Sequence, residues 1–319
     1  MPSIASPAPD PAAALRPAGI GPYLPIETLG SGGMGVVWRA RHRLLIRPAA
    51  IKLIRPQVSA DPDMLLRRFE REARATAALR SPHTVQLYDF GATEDGRLYY
   101  VMELLDGLDA QALVRQHGPV PPGRAVFLLR QVCHSLSEAE SCRLVHRDIK
   151  PANIFLCRYG EDCDFVKVLD FGIVKRDGDE AGDAPVLTRE NAVQGTPAFI
   201  APEQALGSGA VDGRADVYAV GCVAYWLLTG QLVFTADTAL GMVVQHSTAV
   251  PEPPSARTGL AIPPALDALV LACLAKDPAA RPQTARELSR LLAESVEPGS
   301  WTEERARDWW NQQMPSARV

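Results

Sequence analysis

The sequence predicts an α+β chain of two lobes, the first rich in strands around one main helix and the second mostly helical. Three observations carry this. First, β-branched or aromatic runs bounded by turns recur between residues 23 and 105: Val36-Val37-Trp38, Ile51-Lys52-Leu53-Ile54, Val85-Gln86-Leu87-Tyr88 and Tyr99-Tyr100-Val101-Met102. Second, one stretch among them, residues 62–80, has helical spacing, with Leu66, Phe69, Ala73 and Ala77 on one face. Third, beyond Gly107 broad apolar stripes at helical period take over, at residues 122–141, 214–229, 265–275 and 284–294. The join falls near residues 103–109.

In chain order, residues 1–22 hold six prolines and six alanines and read as a disordered or extended leader. Residues 23–105 form the first lobe and 106–295 the second. Residues 296–319 form a tail with three of the five tryptophans. Ser300 and Glu303 have capping-box spacing, which predicts a short terminal helix carrying Trp301, Trp309 and Trp310. Two uses of these indoles stand: docking the helix onto the second lobe, which we prefer, or a surface for a recruiting partner.

Composition excludes several classes. The 319 residues carry 33 Lys plus Arg against 37 Asp plus Glu, a net charge of −4, with 47% hydrophobic residues. Chains that bind nucleic acid or acidic membranes through bulk charge need a basic surplus, so nucleic acid is not the expected partner. The longest apolar stretch, Val217 to Leu228, runs twelve residues and contains Gly221, whereas a membrane span needs about twenty. The N-terminus lacks the basic start and apolar core of a signal peptide, so the expectation is a cytoplasmic protein. Six cysteines form no CxxC pair. Cys157 and Cys163 flank a turn and could face each other, but free thiols are expected in a reducing compartment.

The chemistry resides in spaced motifs. Gly30-Ser31-Gly32-Gly33-Met34-Gly35-Val36-Val37 reads G-x-G-x-x-G-x-V, a turn able to bring backbone N–H groups against phosphate oxygens. A dinucleotide fold uses the same glycines but continues as a helix with an acid about twenty residues on. Here a strand follows and Lys52 lies downstream, so a hairpin is expected. Lys52, inside a strand, would be costly to bury unless it met phosphate or carboxylate. Further on, His146-Arg147-Asp148-Ile149-Lys150-Pro151-Ala152-Asn153 and Asp170-Phe171-Gly172 group a candidate base with the oxygen donors that Mg²⁺ accepts when it also binds phosphate.

Together with Ala201-Pro202-Glu203, these motifs resemble the eukaryotic-like Ser/Thr protein kinases over roughly residues 23–295. The resemblance implies a bilobal protein-kinase fold, ATP and Mg²⁺ as cofactors, and proteins bearing Ser or Thr acceptors as substrates. Carried over by residue, Gly30, Ser31, Gly32, Gly33, Met34 and Gly35 cover the ATP phosphates, and Leu29, Val37, Ala50 and Phe155 sandwich adenine. Lys52 holds the α- and β-phosphates, paired to Glu72 in preference to Glu70. Met102 is the gatekeeper of a hinge formed with Glu103 and Leu105, and Asp109 is a candidate ribose contact. Asp148 is the base, Lys150 the γ-phosphate contact, and Asn153 and Asp170 the Mg²⁺ ligands. Lys150, with Gly195-Thr196-Pro197, favours Ser or Thr over Tyr acceptors. Glu203 with Arg281 resembles the family's buried ion pair, and Asp216 the anchor of the catalytic loop.

The activation segment, Asp170 to Glu203, contains an acidic stretch from Asp177 to Asp183. Thr188 is the expected autophosphorylation site, its phosphate meeting Arg147 and Lys175. Two alternatives are weighed. A pseudokinase acting as an ATP-binding scaffold should lack one of Lys52, Asp148, Asn153 or Asp170, and a small-molecule hydroxyl kinase should lack the Gly195–Glu203 segment; this chain has all of them.

Overall fold

The computed structural model describes residues 19–32, 35–54, 62–171, 197–207 and 211–314. Residues 1–18 of the leader, Gly33, Met34, Gly172, Lys175, Asp177 to Asp183, Thr188, Gly195 and Thr196 lie outside the described residues. The last four leader residues do not follow the expectation of a disordered or extended segment, because Ile20 bridges to Tyr23 and is buried in the first unit's apolar cluster. The chain divides into two compact units, one comprising the chain up to Ala77 plus Gln86–Leu104, the other Ala78–Val85 plus the chain from Leu105 onward.

The first unit is an antiparallel sheet of β1 (Tyr23–Gly32), β2 (Gly35–His42), β3 (Pro48–Ile54), β4 (Leu87–Ala92) and β5 (Leu98–Glu103), in the order β1-β2-β3-β5-β4. Residues directly opposite in such a ladder share a face. The pairs Val36↔Leu53, Trp38↔Ile51, Ala40↔Ala49 and Ile51↔Val101 therefore place the unit's apolar cluster on one face. The pairs Val37↔Lys52, Lys52↔Tyr100 and Ala50↔Met102 put Val37, Ala50, Lys52 and Met102 on the other.

Helix α1 (Pro62–Ala77) packs beside β4, where Phe69 meets Phe90 edge to face with centroids 6.2 Å apart. Phe69 and Ala73 are buried, but Ala77 is exposed and Thr76 is buried instead. The expected stripe ends a residue early because the helix stops at Ala77. The run expected as a strand from Val85 begins only at Leu87: Val85 belongs to the second unit, where its N–H donates to Val168 O at 3.0 Å.

The second unit is built around α5 (Gly213–Thr229), buried on nearly every side as its unbroken apolar run demands. Around it lie α2 (Ala110–His117), α3 (Pro122–Ser141), α4 (Pro202–Leu206), α6 (Ala239–Thr248), α7 (Pro264–Cys273) and α8 (Ala285–Glu294). A small sheet, β6 (Gly107–Asp109), β7 (Ile154–Tyr159) and β8 (Asp162–Val168), carries the chain into Asp170. Cys157 pairs with Phe165 across the β7–β8 hairpin, and all six cysteines are free thiols. Among the described residues no helix is long and apolar enough to cross a membrane.

The tail forms α9 (Glu303–Gln313) on this unit. Its N-cap is Thr302, whose hydroxyl accepts from Arg305 N, and not the expected Ser300. The reason lies in Trp301, which precedes the helix and donates its indole N–H to Asp164 at 3.0 Å. Ser300 is drawn against Gly123, where an added Cβ would come within 2.5 Å of its hydroxyl.

Candidate active site

In the first unit the glycine motif closes the β1–β2 hairpin, with Gly30↔Val37, Ser31↔Val36 and Gly32↔Gly35 in register. Gly35 has φ +153°, and a Cβ there would fall 2.0 Å from Leu53 O, so only glycine fits. Gly30 and Gly32 face open space, which suits close approach by a ligand rather than internal packing. Leu29 at the rim is exposed. On α1 the two candidate glutamates separate: Glu70 bonds Arg74 at 3.2 Å on the solvent side, while Glu72 turns a buried oxygen inward. Successive residues rotate about 100°, so the two cannot share a face. Met102 and Glu103 are buried in β5, and the Glu103 carboxylate accepts from Gln86 N at 2.9 Å, tying the strand's end to β4's approach.

In the second unit Leu105 opens the segment before β6, and Phe155 is half-buried on β7. Asp109 caps α2, accepting from Ala112 N at 2.7 Å, so one of its oxygens already has a structural use.

The residues of the loop that begins at His146 converge tightly. Asp148 Oδ2 accepts from Lys150 Nζ at 2.9 Å and from Asn153 Nδ2 at 3.0 Å, and Asn153 Nδ2 also donates to Asp148 O at 2.8 Å. A 3₁₀ turn over Pro151–Asn153 makes this possible by folding the loop back on itself. Leu169 N donates to Asn153 O at 2.8 Å, which ties the residue before Asp170 to the same turn. His146 Nε2 lies 2.8 Å from Leu169 O, and Asp148 N donates to its Nδ1. A carbonyl can only accept, so the proton is on Nε2 and Nδ1 is the acceptor. His146 also packs on Phe171, centroids 4.4 Å apart.

Asp216, on α5, holds the loop from below, accepting from His146 N at 2.7 Å and Arg147 N at 2.8 Å. Full burial pushes its carboxyl up from the ordinary range, against the pull of these donors. Arg147 and Asp170 have φ of +64° and +56°, a conformation costly for residues with a Cβ. Such strain persists where surrounding bonds over-determine it, which is the case here. Arg147 O is held by Gln204 Nε2 at 2.8 Å. The positioning parts played by His146 and Gln204 were not assigned from sequence; the only signal was their place inside or beside the motifs.

Arg281 and Glu203 form a two-point ion pair at 2.7 and 2.9 Å, with the arginine fully buried. The guanidinium also donates to Ala275 O, Arg214 O and Lys276 O.

A family model described as "Protein kinase domain" matches residues 23–291. Among curated relatives, serine/threonine-protein kinase pkn3 of Myxococcus xanthus is 43% identical over 258 residues, covering 81% of this chain and 47% of its own. Serine/threonine-protein kinase PknB of Mycolicibacterium smegmatis is 42% identical over 265 residues, covering 82% of this chain and 41% of its own. The chain thus spans less than half the length of these relatives. The crystal structure of the Mycobacterium tuberculosis PknI kinase domain superposes with a TM-score of 0.67 at 28% identity, covering 88% of this chain and 99% of that one. The family model covers most of the chain, and the chain belongs to the protein kinase family.

Proposed function

We propose that this chain is a cytoplasmic Ser/Thr protein kinase that transfers the γ-phosphoryl group of ATP to hydroxyls of protein substrates and to its own Thr188. The observation that carries this reading is the Asp148 carboxylate, held by Lys150 and Asn153 at the end of a loop anchored on Asp216. Asp148 would accept the proton of the attacking hydroxyl as the new O–P bond forms and the bond from the γ-phosphorus to the β-bridging oxygen breaks. Lys150, already beside that carboxylate, would meet the transferring phosphoryl group, and Lys52 the α- and β-phosphates. Glu72 would orient Lys52, and the Gly30–Gly35 turn would present backbone N–H groups. Val37, Ala50, Met102 and Phe155 would contact adenine.

The donor set fits Mg²⁺. Asn153 commits its amide nitrogen to Asp148, which leaves the amide oxygen to face a cation, and Asp170 adds a carboxylate. Among the described residues there is no cluster of three or more His, Cys, Asp or Glu. That suits an ion taking one or two protein oxygens and completing its shell with phosphate and water. When bound, Mg²⁺ would neutralise charge on the phosphates.

The test is intact-mass spectrometry of phosphatase-treated protein before and after incubation with ATP and Mg²⁺. Mass gains in single-phosphate steps, on Ser or Thr and including Thr188, are expected. No gain on the protein or on a generic protein substrate, with the nucleotide nonetheless bound, would overturn the reading.

A further inference from the structure

Beyond residue 291, where the family match ends, the tail closes over a buried ion pair of the second unit. Asp164 lies in β8, fully buried, at a point where two β8 residues oppose one on β7. Such a bulge re-aims a side chain. Its φ of +54° is a strained conformation for an aspartate. What holds it is a saturated carboxylate. Arg124 on α3 donates to Oδ2 at 2.9 Å and Oδ1 at 2.7 Å, Trp301 Nε1 to Oδ2 at 3.0 Å, and Trp310 Nε1 to Oδ1 at 2.7 Å. The third indole, Trp309, lies over the Arg124 guanidinium at 3.8 Å. Arg158 on β7 donates to Trp310 O and Met314 O, fixing the end of α9 to the same hairpin.

From Asp164 the strand is clamped almost residue by residue toward Asp170. Gln131 donates to Asp164 O at 2.9 Å and accepts from Val166 N at 3.0 Å. His83 lies 3.0 Å from Val166 O, and its carbonyl accepts from Val168 N at 2.7 Å. Leu169 is then bonded to Asn153 O through its N–H and to His146 Nε2 through its carbonyl.

We propose that Asp164 is a positioning residue for Asp170 and that Trp301 and Trp310 are its partners in that task, so that α9 is a working part of the nucleotide and Mg²⁺ site. The proposal rests on the kinase reading for the role of Asp170. Groups that meet a metal need a supporting shell to hold them within a fraction of an ångström, and here that shell reaches into the tail.

The experiment compares three full-length chains: wild type, Trp301→Phe/Trp310→Phe, which keeps ring packing but removes both donors, and Leu292→Ala, which loosens α8 without touching β8. Two quantities are read well below the unfolding temperature: amide hydrogen exchange along Val166 to Leu169, and the Mg²⁺ concentration that half-saturates binding of a non-hydrolysable ATP analogue. In the double variant, exchange at these amides is expected to speed up about tenfold and the Mg²⁺ midpoint to rise severalfold, with neither moving in Leu292→Ala. Unchanged β8 exchange, equal changes in both variants, or faster exchange with an unmoved Mg²⁺ midpoint would each overturn the proposal. Should the double variant fail to fold, Trp310→Phe alone is read the same way. Neither quantity needs turnover, so a wild-type chain that binds the analogue but transfers no phosphate would sink the kinase reading and leave this test intact.

Discussion

Two buried ion pairs in the second unit use the same chemistry with opposite emphasis. At Glu203–Arg281 the arginine is the hub: besides its carboxylate it serves three backbone carbonyls. At Arg124–Asp164 the aspartate is the hub, taking two indole donors besides its guanidinium. A buried charge stripped of its partner is what costs, roughly 3–5 kcal/mol. The pairs therefore teach that the expensive member is whichever one carries the extra bonds, not whichever sign it has.

The largest effect is expected at Arg281→Met, which strands the Glu203 charge and three carbonyls and should cost about 5 kcal/mol in denaturant unfolding. Glu203→Gln should cost about half as much, because the amide still accepts and the carbonyls stay satisfied. At the other pair the order inverts. Asp164→Ala, leaving Arg124 buried against two unsatisfied indoles, should cost about 4 kcal/mol, and Arg124→Met about 3, because both indole N–H groups still hydrogen-bond the carboxylate. Equal costs within each pair, or the reverse order at Asp164, would break the comparison.

Acid should separate the two regions next. His246 is fully buried with its Nδ1 2.8 Å from Tyr218 Oη, and Tyr218 in turn lies against Arg281. Burial, helped by the nearby Lys276 charge, brings the His246 pKa down from 6.5 to about 4. The unfolded chain then takes up the proton first as pH falls. Stability is full above about pH 6.5 and drains between there and about pH 4, by up to ~3 kcal/mol. His246→Asn should flatten that part of the stability–pH curve. Smallest is Trp301→Phe, which removes one hydrogen bond to a charged acceptor, about 2 kcal/mol by thermal unfolding.

The difference between the pairs also shows what a sequence discloses. Glu203 and Arg281 sit in motifs, so their pairing was expected from resemblance although 78 residues separate them. Asp148, Lys150 and Asn153 were legible because they stand together in one motif whose roles the resemblance supplies; that they converge is the work of the turn over Pro151–Asn153. Asp164 gave no such sign. It is one more charged residue in a strand, and its partners lie 40, 137 and 146 residues away. Only the crowding of indoles in the tail hinted at an anchor. That crowding also misled locally, because Ser300 and Thr302 are both fit to cap a helix, and the tie between Trp301 and Asp164 decides for Thr302. Strand boundaries failed where a long-range partner intervened, as when Val85 turned to Val168 instead of continuing β4.

The most direct test of the account is phosphorylation of a serine-containing peptide by wild type and by Asp148→Asn, compared on chains of equal thermal stability. The wild type is expected to transfer phosphate and the variant to lose roughly 10²–10⁴-fold in kcat, with nucleotide affinity little changed. A variant within a few-fold of wild type would contradict it, because the carboxylate held by Lys150 and Asn153 would then not be the base.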